Sequence, residues 1–182
     1  ASRQCVGIKQ LQAYSRSLNF ERPEDGAVKF RSNDPEERRV FQDWVMHACC
    51  ALAHDRSWPH QIHTGTHNLD DSSPWPLEPL AKRYTKMTLV LLHCWPFLEE
   101  SGFLAKMLPN VYLDACWQPI LNPGFLDQAF AMWQGYIPLH KLMCSNDATS
   151  IEMAAGAASL LRDRLARPAF GGEWVSASLW DN

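Results

Sequence analysis

Thr88-Leu-Val-Leu-Leu-His-Cys-Trp-Pro96 is a short, branched, apolar run that stops at His93 and is closed by Pro96. A segment apolar on both faces suits a parallel strand covered on both sides better than a half-exposed antiparallel one. In folds built from parallel strands, ligands and catalytic groups gather at the carboxyl ends. His93 stands at such an end, so the rest of the chain is read for further strands that deliver side chains to the same rim.

The pattern recurs on both sides of this run. Upstream, Cys5-Val-Gly-Ile-Lys9 reads as a strand ending in lysine, and Pro59-His-Gln-Ile-His63 as one stopped by Thr64-Gly65. Downstream, Asn110-Val-Tyr-Leu-Asp114 and His140-Lys-Leu-Met-Cys144 read likewise, the second leaving through Ser145-Asn-Asp147. Helical stretches lie between them. Asp34-Pro35-Glu36-Glu37 combines a capping aspartate, a proline suited to the first turn and a capping-box glutamate. It predicts a helix to about His54 that buries Val40, Phe41, Trp44, Val45, Ala48 and Leu52. Further helices are expected over residues 77–84, 97–108, 123–135 and 150–167, the last capped by Thr149. Residues 168–182 show no periodicity and are left unassigned. Strand, polar exit, helix, repeated, predicts an α/β chain with a parallel sheet and outer helices.

Composition narrows the functional classes. The 182 residues are 46% hydrophobic, enough for one sizeable core. A formal net charge of -3 offers no electrostatic footprint for nucleic acid or an anionic membrane. No apolar run reaches the length of a membrane span, and the opening Ala-Ser-Arg-Gln lacks a signal-peptide pattern. The six cysteines lie mostly in apolar segments without CxxC spacing, which reads as reduced thiols in a cytoplasmic protein.

His63, His93, Asp114 and Asp147 at four exits, with Lys9 at a fifth, are the chemistry-bearing set. Imidazole and carboxylate ligands hold a divalent ion and lower the pKa of its water, and an aspartate nearby can take the proton. Each histidine alone is as readily a satisfied core residue; several polar exits on one rim favour a site. Cys94 beside His93 is read as facing away from that rim, by strand alternation. Trp44, Trp95, Trp117 and Trp133 are read as packing residues, and His47 and His54 as surface or boundary positions.

Several segments, in one order, carry a resemblance. They are Val6-Gly-Ile-Lys9 with Tyr14 and Arg16, Gln61-Ile-His-Thr-Gly65, Leu91-Leu-His-Cys-Trp-Pro96, Pro109-Asn-Val-Tyr-Leu-Asp114 and Lys141-Leu-Met-Cys-Ser-Asn-Asp147. Together they resemble the later strands of the amidohydrolase-related, metal-dependent TIM-barrel hydrolases, in the branch whose members occur alone or fused to glutamine-synthetase-like domains. The resemblance implies that His63 is a metal ligand after strand five, and that His93 on strand six binds metal or polarises substrate. It makes Asp147 on strand eight a metal contact and general base. Lys9 falls on strand four, where some members carry a carboxylated lysine. Lys9, Arg16 and Trp95 are the substrate-binding candidates.

The departures set further expectations. Ser145-Asn146 stands where Gly-Ser is usual, an extra His67 follows His63, and Trp75-Pro76 replaces Asn-Pro. A first-strand His-x-His pair is absent. The expectation is therefore a single domain over residues 1–182, a partial (β/α)8 barrel made of about the last five βα units. The function that the resemblance implies is a metal-dependent hydrolase, a zinc enzyme in family terms, acting on a small-molecule substrate and expected to be incomplete as this chain. A related decarboxylase, a uronate-isomerase-like enzyme or an inactive fragment are the alternatives. The open edges of such a sheet predict a homodimer or pairing with an N-terminal half-barrel.

Overall fold

The computed structural model describes residues 4–24, 26–68 and 71–167; the unassigned tail at 168–182 lies outside them. Five strands form one parallel sheet in chain order: β1 Ile8–Gln10, β2 Pro59–His63, β3 Thr88–Leu92, β4 Val111–Asp114 and β5 Leu142–Met143. The helices are α1 Pro35–Arg56, α2 Glu78–Arg83, α3 Leu98–Met107, α4 Gln118–Leu121, α5 Pro123–Trp133 and α6 Ile151–Leu165. This is the expected α/β alternation, a partial (β/α)8 barrel. Two strands are shorter than the sequence predicts. β1 begins only at Ile8, and His140 and Lys141 belong to a single 3-10 turn, Leu139–Lys141, before β5.

Register decides which side chains share a face. Lys9 pairs with Gln61 and Gln61 with Val90, which in turn pairs with Tyr112. One row further, His63, Leu92, Asp114 and Met143 align. Because successive side chains alternate, these two rows point the same way. That face carries the small cluster of Val90, Leu92, Cys116, Tyr112 and Met143. The opposite face presents Ile62, Leu89, Leu91, Val111, Leu113 and Leu142 to the helices, and this is the main core. The apolar run at Thr88–Leu92 is therefore buried on both sides, as its composition requires.

Helix α1 starts as predicted and packs differently. Asp34 Oδ1 accepts from the amides of Glu36 (2.9 Å) and Glu37 (3.0 Å). Glu37 does not close the capping box; it binds Lys29 and Ser32 instead. The buried stripe is Asp43, Met46, Cys50 and Ala53, while Trp44 and Leu52 are each 42% exposed. Small Cys50 and Ala53 let the helix approach the sheet closely, and Asp43 is neutralised by Arg16. Trp44 packs edge-on against Phe30 outside the core. At α6 the cap is Ser150, which accepts from Met153 N at 3.2 Å, rather than Thr149. Lys141, nine-tenths buried, donates to the carbonyls of Ala105 and Leu108 at 2.7 Å each, closing the end of α3.

Candidate functional site

The rim at the carboxyl ends of the strands is where backbone strain collects. Among the described residues, six non-glycine positions have positive φ, and all but Ser57 lie here: Thr66, His93, Cys94, Trp117 and Asp147. Such conformations cost about 1–3 kcal/mol each and persist where surrounding structure holds them. At His93 the supports are visible. Its amide donates to Asp114 O at 2.9 Å, and its carbonyl accepts from Gln118 Nε2 at 2.5 Å. Gly65 packs so tightly on this turn that an added Cβ would stand 2.0 Å from Trp95 O. That position also has φ +64, so it admits only glycine.

Four of the expected residues converge. The rings of His63 and His93 lie 4.5 Å apart, edge to face. His93 Nε2 is 3.8 Å from Asp147 Oδ2, while the other oxygen of Asp147 accepts from Lys9 Nζ at 2.7 Å. Both histidines are about 1% exposed, and burial lowers their proton affinity: His63 falls to about 4, with His93 beside it adding to the effect. His93 is lowered by burial as well. Two neutral imidazoles therefore stand against one carboxylate near pH 7.

Their hydrogen bonds show what remains free. His63 Nε2 lies 3.1 Å from Gly65 O, a contact that requires its N–H there and leaves Nδ1 as a lone pair. That Nδ1 is buried without a hydrogen-bond partner. His93 Nδ1 lies 3.1 Å from Cys116 O, so Nε2 is left with its lone pair toward Asp147. A His93 nitrogen beside a carboxylate oxygen, with the His63 ring adjoining, is the kind of donor chemistry a divalent cation takes. The residues present fit a metal.

The remaining candidates go elsewhere. Arg16 pairs with the buried Asp43 at 2.8 Å, binds Asn19 O and Gln42, and lies over Phe20, tying the loop after β1 to α1. Trp95 stacks on Phe125 at 4.0 Å. Neither is brought to the histidines. Asp114 is consumed by structure: it accepts from Cys116 N, Ser145 N and Ser145 Oγ, pinning two exit loops. Cys94 is fully buried away from the rim, as expected, but not through alternation, which would put it on the face of Val90 and Leu92. The positive φ of His93 and Cys94 turns it into the main core.

Three further residues line the rim: Tyr14, part of the resembling segments, Trp117, expected to pack, and Cys116, expected as a buried thiol. Tyr14 lies 4.3 Å from the His63 ring and 4.6 Å from His67, and Trp117 lies 5.5 Å from His93 and 6.0 Å from His67. Trp117 also donates to Asp147 O at 2.8 Å. They wall the rim with aromatic surface. Cys116, grouped in the sequence with inert thiols, has its sulfur 3.2 Å from His93 Nδ1. The available signal was position, since both Cys116 and Trp117 follow directly on a strand exit. A cleft of about 1030 Å³ lies apart from this group, between Tyr112 and Met143 on the inner face and Leu161 and Leu165 of α6.

Known proteins share both the sequence and the fold. The family model described as Amidohydrolase matches residues 21–135. Protein fluG of Emericella nidulans is 44% identical over 88 residues, which make up 43% of this chain and 10% of that protein. A crystal structure assigned to a metal-dependent hydrolase of Lactobacillus casei superposes with TM-score 0.78 at 24% identity, over 96% of this chain and 53% of that one. Uronate isomerase of Thermotoga maritima superposes with TM-score 0.61 at 17% identity, over 82% of this chain and 38% of its own. The chain thus spans about a tenth of its curated relative and about half of the Lactobacillus protein.

Proposed function

Since this chain belongs to the amidohydrolase family, we propose that its rim is the site of a metal-dependent hydrolase acting on a small-molecule substrate. The observation that carries the reading is that His63, His93 and Asp147, from three strand exits, collect on one rim, with the two rings 4.5 Å apart and His93 Nε2 3.8 Å from Asp147 Oδ2. His63 and His93 would hold the ion with Asp147, and we take zinc as the metal. A divalent ion there supplies Lewis acidity to a substrate oxygen and an attacking water.

The chain's own groups do the rest. Lys9 occupies one oxygen of Asp147 and thereby fixes which oxygen is presented toward His93. That oxygen accepts the proton of the attacking water and returns it to the leaving group. The neutral histidines donate no proton near pH 7, so Asp147 is the proton carrier. Tyr14, His67 and Trp117 supply apolar walls around a polar floor, the make-up of a small-molecule site.

The test combines metal analysis with turnover. The protein is loaded with zinc or manganese and assayed on amides, esters and lactones, beside Asp147→Asn. Hydrolysis lost in that variant supports the reading. Decarboxylation or uronate isomerisation without hydrolysis would replace it with the lyase or isomerase alternative, and turnover unaffected by Asp147→Asn would remove the rim from the chemistry.

A further inference from the structure

Among the described residues, the donor atoms that stand closest together are not the two histidines with Asp147. One ring nitrogen of His93, Cys116 Sγ and one carboxylate oxygen of Asp147 all lie within 4.8 Å of one another. Cys116 and His93 are essentially inaccessible, and their direct contact is 3.2 Å. Next to them, the buried Nδ1 of His63 has no hydrogen-bond partner, and the His63 ring is 4.5 Å from that of His93.

We propose that Cys116 is a metal ligand, so that the rim binds its ion through sulfur as well as nitrogen and oxygen and selects a borderline-soft cation. This deepens the metal-dependent reading given above and rests on it. Zinc bonds of about 2.3 Å to sulfur and about 2.0 Å to nitrogen place ligand atoms roughly 3.5 Å apart in a tetrahedron. The observed set therefore has to close by roughly 1 Å at its widest. Asp147, about a third exposed, can move; Cys116 Sγ meets His93 at Nδ1 (3.2 Å), so one ion held by both exchanges the Nδ1–H bond to Cys116 O for the metal. His63 Nδ1 offers the fourth position, or leaves it to water and substrate.

The chemistry of the sulfur supports this role over two others. Burial raises the Cys116 thiol well above its ordinary range, so without a cation it is no free thiolate nucleophile. It is also more than a packing residue, because its sulfur touches the one histidine that faces the general base. Binding is balanced by loss of the thiol proton to solvent as the metal–sulfur bond forms. A thiolate in the set favours zinc, cobalt or cadmium over magnesium and calcium.

Cobalt(II) titration of the full chain reads the ligand directly. Wild-type protein is expected to bind one cobalt and to show a near-ultraviolet thiolate-to-cobalt charge-transfer band, with one proton released per ion. Cys116→Ser should lose the band and weaken binding at least about tenfold, while Cys50→Ser keeps both. Zinc K-edge absorption on unmodified protein should show one sulfur neighbour, which guards against a Cys116 variant that fails to fold. Stoichiometric cobalt without the band, and zinc without sulfur, would overturn Cys116 as a ligand and leave the hydrolase reading standing. No binding of either ion would overturn both.

Discussion

Lys9 in β1 and Asp147 after β5 belong to opposite edges of the sheet, and their side chains meet at 2.7 Å. Four strand spacings of about 4.8 Å would separate those edges by roughly 19 Å in a flat sheet. No lysine side chain spans that gap. The pair therefore reports the curl of the sheet, and the same curl brings His63 and His93 from between the edges to Asp147.

Lys9 and Asp147 are each about a third exposed, so their pairing contributes little to stability. Lys9→Met should cost less than about 1 kcal/mol in urea unfolding. It should still reduce turnover at least about tenfold, because Asp147 loses the partner that orients it. Lys9→Arg should recover part of the rate. Equal losses of stability and rate would mark the pair as structural.

Arg16 is expected to act on folding alone. Its guanidinium and Asp43 are 11% and 3% exposed, and burial pushes the Asp43 carboxyl up despite the arginine beside it. Arg16→Met leaves that acid unpaired in the interior and should cost about 3–5 kcal/mol. Thermal or urea melts measure the loss. A KM defect at full stability would return Arg16 to the substrate site.

Two buried histidines set the acid limit of the fold. His60 and His63 are both lowered to about 4, chiefly by burial, against an ordinary value of 6.5. The unfolded chain then binds more protons than the native one between those values. Stability is complete above about pH 6.5, falls as pH is lowered, and the loss is complete below about pH 4. Each histidine adds a slope of up to about 1.4 kcal/mol per pH unit. Urea melts across this window should show a shallower slope in His60→Leu, with His63, His93 and His47 supplying what remains; among the described residues, Cys50 is the polar contact of that ring.

We also propose that the open edges make this chain associate, as a homodimer or with an N-terminal half-barrel. Among the described residues, β1 and β5 each pair on one side only, and the inner face beside β5 leaves Tyr112, Met143 and Leu161 around the 1030 Å³ cleft. Sedimentation velocity at micromolar concentration should detect self-association, and Leu161→Glu should reduce it. A cooperatively unfolding monomer at every concentration would remove the proposal.

Local chemistry made much of this legible in the sequence. The apolar run ending at His93, the alternation along Pro59–His63 and the cap at Asp34 each depend on residues a few positions apart, so the elements, their parallel order and three strand-exit residues of the site follow from them. Resemblance supplied the roles. What the sequence could not contain were distances between loops. The buried stripe of α1 turns on Arg16 reaching Asp43, Cys116 is the buried free thiol the sequence suggests yet its sulfur also meets His93, and Arg16 and Trp95 turn from the rim to partners distant in the chain. Period-two and period-3.6 patterns report which face a side chain takes. They carry no record of how far a sheet curls, and that curl, with the loop after β5, brings Lys9 to Asp147 and sets Cys116 beside His93 and Asp147.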